Sequence, residues 1–245
     1  MWVINEYDAL VANMFDVYLS LLSPNELHRL SGFSSEQRKQ QYQTTYAALK
    51  SITSAYIPVA SRDNIQFVAD RFGKPRLIDE SIPLQFNLSH SEGRIVIGFA
   101  AQQAIGIDIE KIQARRNMRA IAERYFHSDE WENQVQQDAL GAERYFYKLW
   151  VLKEAFIKAE GKGFAIPLHQ FYFDFSKMDA PELVQLSSKR YSKKKWIFQH
   201  RFLESNYSLA FALEAIENNS KIKVVVRQYI PHYSVSIMNN FSSKK

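Results

Sequence analysis

The chain contains no cysteine in its 245 residues. That excludes disulfides, thiolate catalysis and cysteine-type zinc sites, and it suits a reducing compartment. No run of about 18 apolar residues occurs, so no segment reads as a membrane helix. The opening MWVINEYDAL lacks a basic stretch followed by an apolar one. No secretory signal is therefore expected, and the expected location is cytoplasmic. No RNP-type, zinc-finger or glycine-clamp signature for nucleic acid is found. What is present is ordinary for a globular protein: 46% hydrophobic and 23% charged residues, in a chain long enough for one large domain or two small ones. The net charge is +5, with much of the excess in SKRYSKKKW (188–196) and the final SSKK. Such runs are either a solvated edge and a frayed tail or an attraction for an anionic partner.

Hydrophobic periodicity orders the chain. FDVYLSLL (15–22) alternates at first and predicts a strand. Ser23 and Pro24 match an N-cap and a first helical position. From Ser34 to about Ala60, Tyr42, Tyr46, Leu49 and Ile52 recur at helical spacing, which predicts one long helix. IQFVAD (65–70) reads as a strand and RFGKPRL (71–77) as a turn. LQFNLSH (84–90) and RIVIGFA (94–100) predict a hairpin around Ser91-Glu92-Gly93. AIGIDIEKI (104–112) alternates strictly. Helices are expected at about 117–125, 128–137 and 142–160, and strands at 171–175, 195–202, 207–213 and 221–230. Clustered strands with helices between them predict an α+β fold rather than a doubly wound parallel sheet. Each half holds one long helix and a set of strands, so two similar subdomains are expected, 1–101 and 102–215, with 216–245 as a peripheral extension.

Three short stretches carry the chemistry. In AIGIDIEKI, Asp108 and Glu110 are two apart on a strand, so both carboxylates share one face while Ile105, Ile107 and Ile109 take the other. Two like charges that close repel, and a bound hard cation such as Mg²⁺ relieves them. The plainer alternative is a solvated acidic face. In WVLKEAFIKAEGKGF (150–164), Leu149, Leu152, Phe156 and Ala159 form an apolar helical stripe, with Glu154 and Lys158 opposite it. Tyr147, Trp150, Val151 and Ile157 flank that pair, so it is expected to face a cleft rather than bulk water. Alone, it would be a simple i,i+4 ion pair. In FNLSHS (86–91), His90 sits between two hydroxyls at the end of a strand, a good clamp for an anion. FGKP (72–75) places Lys74 in a turn.

FNLSHS, then G-I-D-I-E, then W-x-x-K-E-A-x-x-K-x-x-G-x-G together resemble the 4′-phosphopantetheinyl transferases of the surfactin-synthetase-activating (Sfp) type. The resemblance is strong over residues 65–170 and weaker from Ser23 to about residue 213. It implies a pseudo-twofold pair of α/β subdomains in a monomer, with the active site between them. It also implies transfer of the phosphopantetheine arm of coenzyme A to a serine of an apo acyl or peptidyl carrier protein, with release of 3′,5′-ADP. The carriers of fatty-acid, polyketide and nonribosomal-peptide synthesis are the substrate class. Residue by residue, it implies Asp108, Glu110 and Glu154 as Mg²⁺ ligands and Glu154 as general base. Lys158 would neutralise the pyrophosphate, with Lys153 assisting, and Arg29, Lys74, Ser89 and His90 would hold the coenzyme's phosphates and nucleotide end.

The chain departs from the family's pattern at Glu26, where a basic residue is common, at Gln41 in place of arginine, and at Thr45 in place of glycine. Arg38 and Lys39, about one turn away, are the substitutes. Segments 112–126 and 161–175 flank the metal motifs and are the expected docking surfaces for an acidic carrier. The competing reading is a Mg²⁺-dependent phosphodiesterase or nuclease with a basic face. Neither nucleic acid nor membrane is expected as a partner.

Overall fold

A computed structural model describes residues 1–5, 15–114, 117–132, 139–175, 181–185, 194–204, 206–216, 224–229 and 236–241. In chain order the elements are β1 (Trp2–Asn5), α1 (Phe15–Leu21), α2 (Pro24–Ser31), α3 (Glu36–Ser54), β2 (Phe67–Ala69), β3 (Pro75–Leu77), β4 (Leu84–Ser91), β5 (Arg94–Ala101) and β6 (Ile105–Lys111). There follow α4 (Met118–Tyr125), α5 (Ser128–Trp131), α6 (Ala139–Glu160), β7 (Phe171–Asp174), β8 (Glu182–Gln185), β9 (Trp196–Leu203), β10 (Tyr207–Glu214), β11 (Val224–Tyr229) and β12 (Ser236–Phe241). The mixture is α+β, as expected. The end of the helix predicted to 137, the flanks of the strand predicted over 221–230, most of the basic run 188–196 and the final SSKK lie outside the described residues. No described helix is long and apolar enough to cross a membrane.

Contacts divide the chain into two units. The first comprises Met1–Leu84, Gly93–Ile97 and Lys223–Ser242, and the second Gln85–Glu92, Gly98–Ile222 and Ser243–Lys245. The boundaries expected near 101 and 215 cut the chain differently. In the first unit β1 pairs antiparallel with β5 and parallel with β11, which pairs in turn with β12. Residues expected to form a peripheral extension thus supply strands to the sheet that contains the N-terminus. The reason is visible in the register: Trp2 stands opposite Arg227, whose guanidinium lies 5.3 Å from the Trp2 ring centroid, and Val226 is buried.

The helices of this unit follow local rules with one exception. Ser23 caps α2 in a full capping box: its hydroxyl accepts from the Glu26 amide, and the Glu26 carboxylate accepts from the Ser23 amide at 2.7 Å. Helix α3 starts after Ser35 and stops at Ser54, earlier than predicted, because Ile57 precedes Pro58 and is disfavoured from helical geometry. The exception is α1, predicted as a strand. Tyr18 and Leu22 are buried, and Tyr18 clusters with Ala47 of α3. The spacing 15, 18, 22 satisfies a helix as well as the short alternation satisfied a strand, and packing on α3 settles it. The latter part of the predicted turn over 71–77 is strand β3, paired with β2.

The departures from the family's pattern are accounted for locally. Glu26, besides capping α2, forms a buried ion pair with Lys50 at 2.7 Å. Thr45 is buried and donates its hydroxyl to the Gln41 carbonyl at 2.7 Å.

The second unit is built on the sheet β6–β10–β9, antiparallel throughout. Its α6-facing side follows from register: Gly106, Asp108 and Glu110 on β6 align with Ala212, Ala210 and Ser208 on β10. Gly106 lets α6 lie directly on the sheet. A Cβ there would come within 2.0 Å of the Ala155 carbonyl oxygen and 2.4 Å of the Ala159 amide nitrogen. Helix α6 is enclosed on nearly every side: Val151, Leu152, Ala155, Phe156 and Ile157 are buried, and Phe156 packs edge-on against Phe171, Trp196 and Phe198. Burial on most of its circumference around Val151–Ile157 makes this part of the helix a rigid carrier for Glu154 and Lys158, both left half-exposed.

Candidate active site

The residues gathered around Asp108 all belong to the second unit. Two elements bring them together: β6, whose alternation aims Asp108 and Glu110 toward α6, and α6, whose i,i+4 spacing aims Glu154 and Lys158 back. The third contributor is the end of β4, residues 85–91. Along this stretch Asn87, Ser89 and Ser91 alternate onto one face and meet β6 residue by residue. The Asn87 Oδ1 accepts the buried Ile107 amide at 2.8 Å, and the Ser91 hydroxyl accepts the Lys111 amide at 3.1 Å. These side chains satisfy amides on the edge of β6 not covered by β10. The Ser89 hydroxyl donates to Asp108 Oδ1 at 2.7 Å, and the Ser91 hydroxyl donates to Glu110 Oε2 at 3.1 Å.

Asp108 is the centre. It is 4% exposed. Its Oδ1 accepts from Ser89 and from Lys158 Nζ, both at 2.7 Å, and Lys158 also donates to the Ser89 hydroxyl at 3.0 Å. Its Oδ2 is buried with no hydrogen-bond partner. A buried carboxylate oxygen left unpaired costs about 1–3 kcal/mol or more, and a cation bound here would relieve that cost. Glu154 is held away from its ordinary ionisation. Burial chiefly, and then the Asp108 carboxylate, push its pKa up to about 7, with Lys158 pulling it down and Glu110 adding to the rise. Three carboxylates therefore share one field, with a single ammonium from Lys158 among them.

Hard oxygen donors, one of them buried and unpartnered, fit a divalent cation of the Mg²⁺ type. Among the described residues no three acidic or histidine side chains are already gathered around one metal position; Lys158 stands on Asp108 instead.

The remaining predicted residues fall in other places. His90 is exposed beside Ser89. Arg29 and Lys74 belong to the first unit. Arg29 is exposed, its guanidinium 5.9 Å from the Tyr42 ring centroid. The Lys74 amide donates to Asp70 Oδ1 at 2.9 Å in the turn at Gly73. Lys153 is a correction. It is fully buried and points away from Glu154 into the interior, where its ammonium donates to the carbonyls of Leu168 at 2.8 Å and Phe171 at 2.7 Å and pairs with Glu130 at 2.5 Å. An ammonium saturated in this way has no donor left for a coenzyme phosphate. One residue along a helix turns the side chain by about 100°, enough to place Lys153 in the core and Glu154 at the site.

Sequence reasoning missed Asn87 and Glu130. Asn87 was legible in the alternation 87, 89, 91. Glu130 carried a weaker signal, the capping box at the start of α5, where the His127 amide donates to Glu130 Oε1 at 3.1 Å.

A family model described as the 4′-phosphopantetheinyl transferase superfamily matches residues 104–212, the stretch that supplies β6, α6 and their sheet. The chain is 34% identical over 172 residues to the 4′-phosphopantetheinyl transferase ffp of Bacillus subtilis, covering 64% of this chain and 74% of that protein. It is 35% identical over 155 residues to the 4′-phosphopantetheinyl transferase Sfp of Bacillus subtilis strain 168, covering 63% and 66%. It is 30% identical over 170 residues to the 4′-phosphopantetheinyl transferase gsp of Aneurinibacillus migulanus, covering 62% and 68%.

Proposed function

The chain belongs to the 4′-phosphopantetheinyl transferase superfamily, and from that premise we propose that it moves phosphopantetheine from coenzyme A to a serine of an apo carrier protein with the side chains around Asp108. The single observation that carries this reading is the state of Asp108: one oxygen saturated by Ser89 and Lys158, the other buried and unpartnered, with a protonatable Glu154 beside it.

In the proposed reaction the carrier serine oxygen bonds to the phosphorus that bears the pantetheine arm. The bond from that phosphorus to the bridging oxygen breaks, and 3′,5′-ADP leaves. Glu154 takes the serine proton as general base, directly or through a bound water. Lys158 lies within reach of Asp108 and Ser89 and donates to pyrophosphate oxygens as charge moves onto the leaving group. Asp108, Glu110 and Glu154 are the residues proposed to hold Mg²⁺, which when bound supplies charge neutralisation at the pyrophosphate. Ser89 and His90 contact the coenzyme's phosphates, and Arg29 and Lys74 its nucleotide end. The proposal extends to a cytoplasmic monomer and to two similar subdomains; the long helix and antiparallel strands in each unit support the similarity alone.

The test is incubation with coenzyme A, Mg²⁺ and an apo carrier protein, read by mass spectrometry. A gain of one phosphopantetheine on the carrier is expected. Cleavage of coenzyme A or of nucleic acid with no gain on any carrier favours the phosphodiesterase reading.

A further inference from the structure

The first half of α6, N-terminal to the site, carries a second polar grouping that the reaction does not use. Arg144 lies with its guanidinium 4.2 Å from the ring centroid of Phe202, and Lys148 with its ammonium 3.7 Å from that of Phe175. Between them, on β9, His200 donates to or accepts from the Ser208 hydroxyl at 2.8 Å and stands edge-on to Phe202. Its burial chiefly, and then the Lys148 and Arg144 cations, keep the imidazole neutral near pH 7. No carboxylate among the described residues pairs with Arg144 or Lys148. Three other buried or half-buried lysines have acidic partners: Lys50 with Glu26, Lys153 with Glu130, Lys158 with Asp108. Phe202 is at the same time an exposed large apolar side chain, 36% accessible. A cation over an exposed aromatic ring, with a second cation one turn along the same helix, complements an acidic surface that carries an apolar residue.

Position relates this patch to the site. His200 aligns with Ala210, and Ala210 with Asp108, so the patch lies two strands from Asp108 on the α6-facing side, about 10 Å at ordinary strand spacing. Lys148 precedes Glu154 by six residues, about 9 Å of helix rise. Both measures fall within the footprint of one partner helix.

We propose that the surface formed by Arg144, Lys148 and Phe202 docks an acidic segment of the carrier protein beside the serine to be modified. This rests on the transferase reading above. The test is steady-state transfer to an apo carrier, comparing wild type with Arg144→Gln, Lys148→Gln, the double variant and Phe202→Ser. The double variant is expected to raise the KM for the carrier by about tenfold while leaving kcat at saturating carrier and the KM for coenzyme A unchanged. Its KM should also lose most of the wild-type rise with ionic strength, and Arg144→Lys should retain most of the affinity. Phe202→Ser, at an exposed position that does not threaten folding, should raise the carrier KM in the same selective way. Wild-type carrier KM and salt dependence in the folded double variant and in Phe202→Ser overturn the docking surface while wild-type transfer leaves the enzyme's function standing. A dimer of wild type that the double variant abolishes, with carrier KM unchanged, assigns the face to a second copy of the chain and overturns the proposal. Absence of transfer by wild type is instead a failure of the transferase reading.

Discussion

Lys153 and Lys158 stand on the same helix, each in an ion pair, at 2.5 Å from Glu130 and 2.7 Å from Asp108. Everything around the two pairs differs. The Lys153 pair has no exposed side-chain surface on either partner, and its hydrogen bonding is complete. Lys153 holds two carbonyls besides the carboxylate, and Glu130 accepts from the amides of His127 and Phe173. Burial pulls the Lys153 pKa down to about 8 against the pull of Glu130, so it remains charged at neutral pH. The Lys158 pair is incomplete. Lys158 is 29% exposed, Asp108 keeps an unpartnered oxygen, and Glu154 beside them is pushed toward protonation. A saturated buried pair locks elements together, here α5, α6 and the start of β7. An unsaturated one at a half-open edge is a site waiting for a ligand.

The largest effect that can break this contrast is on stability at Lys153. Lys153→Met leaves Glu130 buried without its cation and should cost about 3–5 kcal/mol in urea unfolding. Adding Glu130→Leu removes the orphaned charge and should recover much of the loss. A single variant as stable as wild type would mean that the sealed pair contributes nothing to folding.

Next in size is the loss of chemistry at the open pair. Asp108→Ala should lower transfer about 10²–10³-fold while the protein stays folded, measured as carrier mass gain per unit time with Mg²⁺ saturating. Wild-type turnover would remove Asp108 from the reaction.

Smaller again is Gly106→Ala. Its methyl group meets α6 backbone rather than a flexible side chain, so overpacking should cost about 1–3 kcal/mol. Because α6 must shift against β6, activity assayed well below the unfolding temperature should fall more than stability does. Unaltered kinetics would show that the helix tolerates the displacement.

The remaining effects are those of pH on stability. Glu154 has its pKa raised from 4.5 to about 7, so the folded state takes up a proton in that window. Its contribution is full below 4.5 and lost as pH rises through 7. Glu154→Gln lacks that loss, so its advantage over wild type should grow across the window and then level off. His200 has its pKa lowered from 6.5 to about 3. Its contribution is present above 6.5 and lost as pH falls toward 3, and His200→Asn should flatten the acid side of the curve. Urea unfolding at a series of pH values checks both, and parallel curves for wild type and Glu154→Gln would contradict the environment assigned to Glu154.

Much of the site was legible because its parts are local. Strict alternation placed Asp108 and Glu110 on one face, helical spacing put Glu154 and Lys158 on one side of their helix, and burial of Ser89 beside an exposed His90 follows the period of β4. Lys153 could not be read in this way. Its neighbour Glu154 shares the same motif, and nothing in the local pattern says which side of the helix is core when apolar residues surround it on nearly every side.

From residues alone came the α+β class, the cap and start of α2, the alternation of β6 and the helix that carries Glu154. These depend on periods of two and 3.6 residues and on capping chemistry, all of which act over a few positions. The pairing of β1 with β11, the helical state of Phe15–Leu21, the bonding of Lys153 to Glu130 and the unpartnered oxygen of Asp108 came from packing. Each depends on groups far apart in the chain, such as Trp2 with Arg227 or Asp108 with Lys158. Their meeting depends on which compact arrangement buries the most apolar surface with the fewest unpaired polar groups, and no local period encodes that.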